Sequence, residues 1–523
     1  MQDLTFLETP GFPILSFMIF LPLLTAILSA VTPNPRTARL WAVTGASLSA
    51  LLSVLAVLVF RSDFSGYQML ERVAWLPGLG VDYAVGVDGI SILFLPMTAF
   101  LFVALMLCFP KGGGRWVNVN LLVLLSSTLG CFAAADAMLF FVFFEVALVP
   151  GYFLIKLGGR ADDPAGAARR YMIFMLLGSL PIMAGLVLAG GSAEETTGVL
   201  SFNIDHLAAA GLPQGTELVV FAFLVFGFGL KAPALPLHLW LGSSVASAPV
   251  SIMAWLLGVK LGTYGFLRFV LPLTPDASLS FAPWIIGLEV VAVVYAGLIA
   301  LTRCDLRSLL VFSSIGHVGL MTAAVFSGTE DGWRGAILMM LNAGIATAAL
   351  AICVGFIERR LGTSDLRAMG GLIAKAPRLT AVVFVSGLAL IGVPGTSGFA
   401  GEILSLKGVF EAGWAFGLIA VTGVLLGAGY FFTAYQRGFL GPVPGRVVGI
   451  GDLRGPEALV GAGMILAVVV LGLFPSLPEG MTRASVAAEI QRQTVRVAEK
   501  NGKTPELTNA VEMERANMSE DAS

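Results

Sequence analysis

Charge is what this chain has least of. Of its 523 residues only 12% are Asp, Glu, Lys or Arg, whereas 57% are hydrophobic. An average soluble domain carries roughly a quarter charged residues. That deficit, with a mean hydropathy of +0.88, excludes a soluble, disordered or nucleic-acid-binding protein. A net charge of -2 gives no sign of a polyanionic partner. Cysteine and histidine are scarce too. The four cysteines, Cys108, Cys131, Cys304 and Cys353, sit apart in apolar runs. With no CxxC or CxxH spacing, neither a zinc site nor an iron–sulfur cluster is suggested. Three histidines, His206, His238 and His317, are too few for multi-haem ligation. There is no Walker A motif and no Gly-rich fingerprint between a strand and a helix, which disfavours a nucleotide-driven pump acting alone. The N-terminus has two acids and no base before its first apolar run, unlike a cleaved signal peptide.

What the chain has is long apolar runs. A spanning helix needs about 20 mostly apolar residues. Fourteen candidates lie near 14–31, 39–60, 89–110, 116–134, 136–157, 169–190, 217–240, 248–271, 282–302, 307–327, 333–357, 379–409, 414–436 and 456–475. Runs of this length exclude a β-barrel, whose strands alternate over about ten residues. The expected fold is an all-α polytopic membrane protein. Basic residues set its orientation. One set of alternate loops holds 18 of the 31 Lys and Arg residues, Lys111, Arg160 and Arg307 among them. The opposite loops hold only Arg61, Arg72, Arg268 and Arg334. Both termini are therefore expected on the non-cytoplasmic side. Residues 481–523 read as a polar tail, with a short helix near Val486–Glu499 that then frays.

Two spans carry helix breakers. The seventh contains Lys231-Ala-Pro-Ala-Leu-Pro-Leu-His238, in which each proline removes a backbone donor and clashes with the preceding turn. The twelfth contains Gly392-Val-Pro-Gly-Thr-Ser-Gly398. The breaks lie five spans apart, so spans four to eight and nine to thirteen read as two inverted five-helix repeats, a pattern of transporters. The expected division is 1–112 (spans one to three), 113–271 (first repeat), 272–440 (second repeat), 441–480 (span fourteen) and 481–523 (tail).

Four ionisable residues fall deep inside spans. They are Glu145, Lys231 beside the first break, Lys260 in Leu-Gly-Val-Lys-Leu-Gly-Thr, and Glu402 after the second break. Each costs about 2.5–3.5 kcal/mol on insertion scales, so four left unpaired sum to on the order of 10 kcal/mol. Pairing, hydration or neutralisation must offset that. Burial disfavours the charged form of either group, so each can switch charge state, and a series of such groups joined by water is a proton path. Two readings fit Glu145 and Lys231: a static pair locking two helices, or proton handling. Snorkelling is the bland reading of Lys260, and its central position argues against it. His238 and His317 fit a relay or a hydrogen-bonded packing role. Lys407 fits a path exit or an interfacial anchor, Glu289 and Tyr264 fit function or packing, and His206 reads as surface.

Together these segments resemble the antiporter-like subunits of respiratory complex I, most closely the M type of bacterial NADH–quinone oxidoreductase and its counterpart in cyanobacterial and plastid complexes. The resemblance covers about residues 85–440. It rests on Gly-Val-Asp-Gly-Ile-Ser at 86–91, Phe-Phe-Glu at 143–145, Leu-Lys-Ala-Pro at 230–233, Leu-His-Leu-Trp-Leu at 237–241, Ser-Ala-Pro-Val-Ser at 247–251, Lys-Leu-Gly-Thr-Tyr-Gly-Phe-Leu-Arg-Phe at 260–269, the run from Asp305 to His317, and Gly-Thr-Ser-Gly-Phe-Ala-Gly-Glu at 395–402. It implies that Glu145 and Lys231 form the family's coupled pair. It further implies that Lys260, Glu402, His238 and His317 handle protons. The driving force would be redox chemistry in partner subunits that carry flavin and iron–sulfur clusters, alongside other membrane subunits in a bacterial inner membrane. No flavin, cluster or quinone is implied in this chain.

Two departures stand out. The family has charged residues and a His after the helix-seven histidine, where this chain has the uncharged stretch Gly242–Pro249. The family's helix-eleven His falls on Ala343, beside Asn342. The same fold also serves multisubunit cation/proton antiporters, membrane-bound hydrogenases and carbon-dioxide-hydrating complexes. The antiporters often carry Lys where Glu402 stands, so Glu402 favours the redox-driven complex.

Overall fold

A computed structural model describes residues 6–7, 12–108, 114–159 and 163–500. The inside-loop bases Lys111 and Arg160, and the tail beyond residue 500, lie outside the described residues.

Ile14–Val31 (α1) and Pro35–Val59 (α2) form an antiparallel pair, with Asn34 capping α2 through the Arg36 amide at 2.9 Å. A three-stranded sheet follows that the run-length reading does not anticipate. Phe6–Leu7 (β1) pairs parallel with Tyr67–Leu76 (β2), and β2 pairs antiparallel with Val81–Val87 (β3). The hairpin turns at Pro77–Leu79 and closes on Gly80 at φ +65°, a left-handed position that suits glycine. The third span is therefore shorter than expected, Phe94–Cys108 (α3).

Gly114–Ala133 (α4) is followed by a fifth span in two pieces. Ala137–Val146 (α5) and Leu148–Gly158 (α6) meet at Ala147, one turn before Pro150, which has no amide to continue a regular ladder. Asp136 caps α5, accepting from the amides of Met138 and Leu139 at 2.9 Å each. Pro164–Thr197 (α7) has 34 residues, about 51 Å at 1.5 Å per residue, so it overshoots a hydrocarbon core of about 30 Å. Ile204–Ala210 (α8) is short.

Gln214–Lys231 (α9) ends at the lysine, residues 232–238 are irregular, and the chain resumes helix at Leu239–Ser247 (α10). This is the expected first break. The eighth span is broken as well, which the sequence reading does not foresee. Val250–Gly258 (α11) and Leu261–Gly265 (α12) are separated by Val259 and Lys260, and a π turn over 266–270 leads into Leu271–Leu273 (α13).

Pro275–Thr302 (α14) and Leu306–Phe326 (α15) pack as a hairpin. Glu330–Asn342 (α16) and Ala348–Leu361 (α17) are one long span with a π turn at 343–347, where Ala343 lies. After Leu372–Lys375 (α18), the twelfth span runs as Pro377–Leu390 (α19) and Gly398–Ala412 (α20), broken where expected. Trp414–Phe439 (α21) and Pro456–Leu473 (α22) follow. The tail helix is longer than anticipated, Ser476–Lys500 (α23).

Among the described residues, 12 helices are long and apolar enough to cross a membrane; Phe94–Cys108 and Pro377–Leu390 are apolar but shorter. Twelve of the expected spans coincide with these long helices, and the third and twelfth overlap the two shorter ones. The spans at 250–273 and 330–361 are the most enclosed, whereas α22 is peripheral. The two described ends meet on one face: β1 lies on the hairpin, and Ser485 of α23 accepts from the Gly89 amide at 2.9 Å and donates to the Ser65 carbonyl at 3.0 Å. On that face Arg268, expected in a loop, is a buried residue of the eighth span that grips both oxygens of Asp88 at 2.7 Å. Arg307 is likewise not a loop residue. It is buried, paired with Glu358 at 2.6 Å, and bonded to the carbonyls of Val245 and Ala248.

Close glycine contacts bring the broken spans together. A Cβ on Gly262 of α12 would lie 2.4 Å from the amide nitrogen of Ala232, at the first residue of the seventh-span break. Gly262→Ala is therefore expected to force backbone apart and lower stability by about 1–3 kcal/mol, the usual range for overpacking. Gly242→Ala, with nothing within 4 Å, is the control. Thermal unfolding of the purified variants checks this; equal midpoints would contradict the close approach.

Candidate functional site

The breaks place the ionisable groups. Lys231 is the last residue of α9, and the close pairing of Gly178 on α7 with Gly227 on α9 carries it toward the fifth span. Its Nζ donates to Glu145 Oε1 at 2.8 Å and sits 3.8 Å from the centre of the Phe144 ring. Ser179 of α7 donates to the same carboxylate oxygen at 2.5 Å. Side-chain exposure is 3% for the lysine and 24% for the glutamate. An ion pair this sheltered gains from low dielectric, and loses heavily if either partner is removed alone.

Lys260 lies in the break of the eighth span. It is buried, has no carboxylate partner among the described residues, and donates to Ser314 Oγ at 2.6 Å. A cavity of about 40 Å³ is lined by both Lys231 and Lys260, together with Pro233, Trp255 and Thr263. A water needs roughly 10–15 Å³ measured in this way, so the space between the two ammonium groups can be wet.

On the far side of Ser314, the same helix α15 presents Ser313 and His317. His317 Nδ1 lies 2.7 Å from the Ser313 carbonyl, and Nε2 lies 2.9 Å from the carbonyl of Leu390, the last residue before the twelfth-span break. Tyr430 of α21 donates to Ser313 Oγ at 2.8 Å. A second cavity, about 30 Å³, is lined by Ser313, His317, Leu390, Glu402 and Tyr430. The Glu402 carboxylate is packed against Gly392, whose φ of +60° and missing Cβ leave it room. The structure thus brings Glu145, Lys231, Lys260, His317 and Glu402 into one line: an ion pair, a cavity, a lysine on a serine, a histidine, a cavity and a carboxylate.

His238 is not on that line. It lines neither cavity, and its Nε2 sits 3.4 Å from Tyr295 OH on α14. Lys407 is exposed and paired with Asp331 and Glu411. Tyr264 accepts from Arg268 Nε at 3.1 Å. Asn342 occupies the ground beside Ala343 as a clamp: it donates to the Ala389 carbonyl at 3.0 Å and accepts from Ser397 at 2.7 Å, tying α16 to the twelfth-span break. Sequence reasoning passed over Ser179, Ser313, Ser314 and Tyr430. Their only signal was helical spacing from a singled-out residue, as in Ser313, Ser314 and His317.

Comparison with known proteins identifies the family. The family model described as NADH:quinone oxidoreductase/Mrp antiporter, TM, matches residues 134–427, which include every residue on the line. NADH-quinone oxidoreductase subunit M of Rickettsia conorii is 33% identical over 479 residues, covering 89% of this chain and 96% of the relative. The chain belongs to the antiporter-like family of NADH:quinone oxidoreductase and Mrp membrane subunits. Among solved structures, a chain of respiratory complex I from Thermus thermophilus with bound NADH superposes with a TM-score of 0.85 at 30% identity, covering 92% of this chain and 99% of that one. A chain of the Mrp complex from Dietzia sp. DQ12-45-1b reaches 0.81 at 23% identity, covering 92% and 99%, and shows the shared fold. This family member is a multi-pass membrane protein.

The pair makes a direct prediction. Lys231→Met leaves Glu145 without its cation and is expected to destabilise the chain by about 3 kcal/mol. The double variant Glu145→Gln with Lys231→Met recovers most of that loss. Unfolding of both variants in detergent measures it; a single variant as stable as the wild type would contradict the pairing.

Proposed function

We propose that this chain is a proton-translocating membrane subunit of a complex-I-like NAD(P)H- or ferredoxin-quinone oxidoreductase. It moves protons along Glu145, Lys231, Lys260, His317 and Glu402. The observation that carries this reading is the alternation of buried ionisable groups with water-sized cavities across the centre of the spans. A purely structural set of charges would pair off. Here only the first two do, while Lys260 and Glu402 have no counter-charge among the described residues.

The chemistry each group supplies follows from its contacts. Loss of the proton from Lys231 ends its attraction to Glu145; the proton can pass into the adjoining cavity and reach Lys260. Ser314, bonded to Lys260, and Ser313 with His317, one turn away, continue toward the second cavity and Glu402. The energy comes from redox chemistry in peripheral subunits bearing flavin and iron–sulfur clusters, with which this chain assembles through other membrane subunits. The first five-helix unit, 113–271, contributes the broken seventh and eighth spans to the line, and the second, 272–440, contributes the broken twelfth. The excess of bases in one set of loops puts both termini on the non-cytoplasmic side of a bacterial inner membrane. His238 belongs to the same machinery from the other side of the seventh-span break.

Lys260→Ala in the intact complex is the test. It is expected to leave assembly unchanged and to lower the protons moved per electron in proteoliposomes. Unaltered translocation would remove Lys260 from the path. Mass spectrometry of proteins that co-purify with the tagged chain separates the two driving forces. Flavin- and cluster-bearing subunits support this proposal, whereas small antiporter subunits alone would replace it with cation/proton exchange.

A further inference from the structure

Glu289 lies midway along α14 and is 3% exposed, at the depth of the seventh-span break. One carboxylate oxygen, Oε1, accepts the backbone N–H of Leu235 at 3.2 Å. Leu235 is within the irregular segment between Lys231 and His238. The other oxygen, Oε2, is buried without a partner. No ion pair involves Glu289 among the described residues. His238, at the end of the same break, is also underused: its Nδ1 is buried without a partner, and its Nε2 has only the 3.4 Å contact to Tyr295. Across α14, the Glu289 carbonyl lies 2.8 Å from where Gly319 of α15 would carry a Cβ. One turn further along α14, Val293 lines the cavity that holds His317 and Glu402. Glu289 therefore stands between the break that presents Lys231 and the second cavity.

A cap for Leu235 alone does not call for this side chain. Glutamine has the same shape and the same acceptor, and it carries no charge into the hydrocarbon. An unpaired carboxylate at the centre of a span is costly, and an unsatisfied buried oxygen adds to that cost. What glutamate offers over glutamine is a proton-binding oxygen.

We propose that Glu289 is a proton-binding residue of the translocation machinery, taking up and releasing a proton at Oε2 while Oε1 holds the seventh-span break through Leu235. This rests on the proton-translocating reading above. Uptake and release make and break only the O–H bond at Oε2, with water that enters the break as the proton's donor and acceptor. Its effect on the break is physical. A hydrogen bond to a charged acceptor is roughly twice as strong as one to a neutral acceptor. The Leu235 amide is therefore held tightly when Glu289 is charged and loosely when it is protonated. Leu235 is four residues beyond Lys231, so the charge on Glu289 tunes the segment that positions the lysine.

The test uses the intact complex in proteoliposomes with Glu289→Gln, Glu289→Asp and Lys260→Ala. Glu289→Gln is expected to lower protons moved per electron several-fold at unchanged complex content. It should also remove a protonated-carboxyl C=O band from the redox-induced infrared difference spectrum. Glu289→Asp is expected to keep that band, shifted in frequency, and part of the translocation. Wild-type stoichiometry and an unchanged spectrum in Glu289→Gln would overturn the proposal and leave a cap on Leu235. If Glu289→Gln does not assemble, the Asp variant decides: a shifted band supports the proposal and an unmoved one overturns it. Loss in Lys260→Ala but not in Glu289→Gln defeats only this inference; no loss in either defeats the translocation reading as well.

Discussion

The structure is organised around the expense of holding charge in hydrocarbon. Each ionisable side chain inside the spans must be paired, bonded or given water, because the bilayer supplies none of these. Glu145 and Lys231 solve the problem as a pair with Ser179 beside them. Lys260 has a serine and a cavity, and Glu402 has a cavity alone. Those solutions need backbone that is not continuous helix. The segments after Lys231, at Lys260 and before Glu402 all depart from a regular ladder; the one at Lys260 is wholly buried, whereas Pro236 and Pro394 in the other two are exposed. Non-helical backbone at membrane depth needs protein or a wet cavity around it.

Close helix approach follows from the same constraint. Gly178 against Gly227 and Gly262 against Ala232 let backbones meet where any side chain would intervene. Small residues at such contacts are the usual basis of helix association in a membrane, where apolar side chains gain little by leaving lipid. The more enclosed spans are those that carry or flank Lys260, and the peripheral ones carry no buried charge on the line. Packing and function thus use the same residues. That explains why a single methyl group at Gly262 is expected to matter so much more than one at Gly242.

Much of this was legible in the sequence. Apolar run lengths gave the helix order, and the Pro-rich and Gly-rich segments located the breaks at 232–238 and 391–397. The cost of burial singled out Glu145, Lys231, Lys260 and Glu402 before any contact was known. What escaped was set by tertiary structure. Lys260 interrupts its helix without a proline, because the Gly262 contact and the Ser314 hydroxyl fix it there. The hairpin at 67–87 was hidden between two apolar runs, although Pro77-Gly78 marked its turn. Arg268 and Arg307 looked like loop bases because their partners, Asp88 and Glu358, are 180 and 51 residues away. His238 adjoined the break in sequence, yet its ring points to Tyr295, on the side of the break where Glu289 meets Leu235.

The central claim is that water joins the buried charges. The most direct measurement is a structure of the intact complex at a resolution that shows ordered water. The account predicts water density in the cavity shared by Lys231 and Lys260 and in the cavity shared by His317 and Glu402, within hydrogen-bonding distance of those side chains. Two dry cavities, closed by apolar side chains, would contradict it and leave the buried charges as struts of the fold.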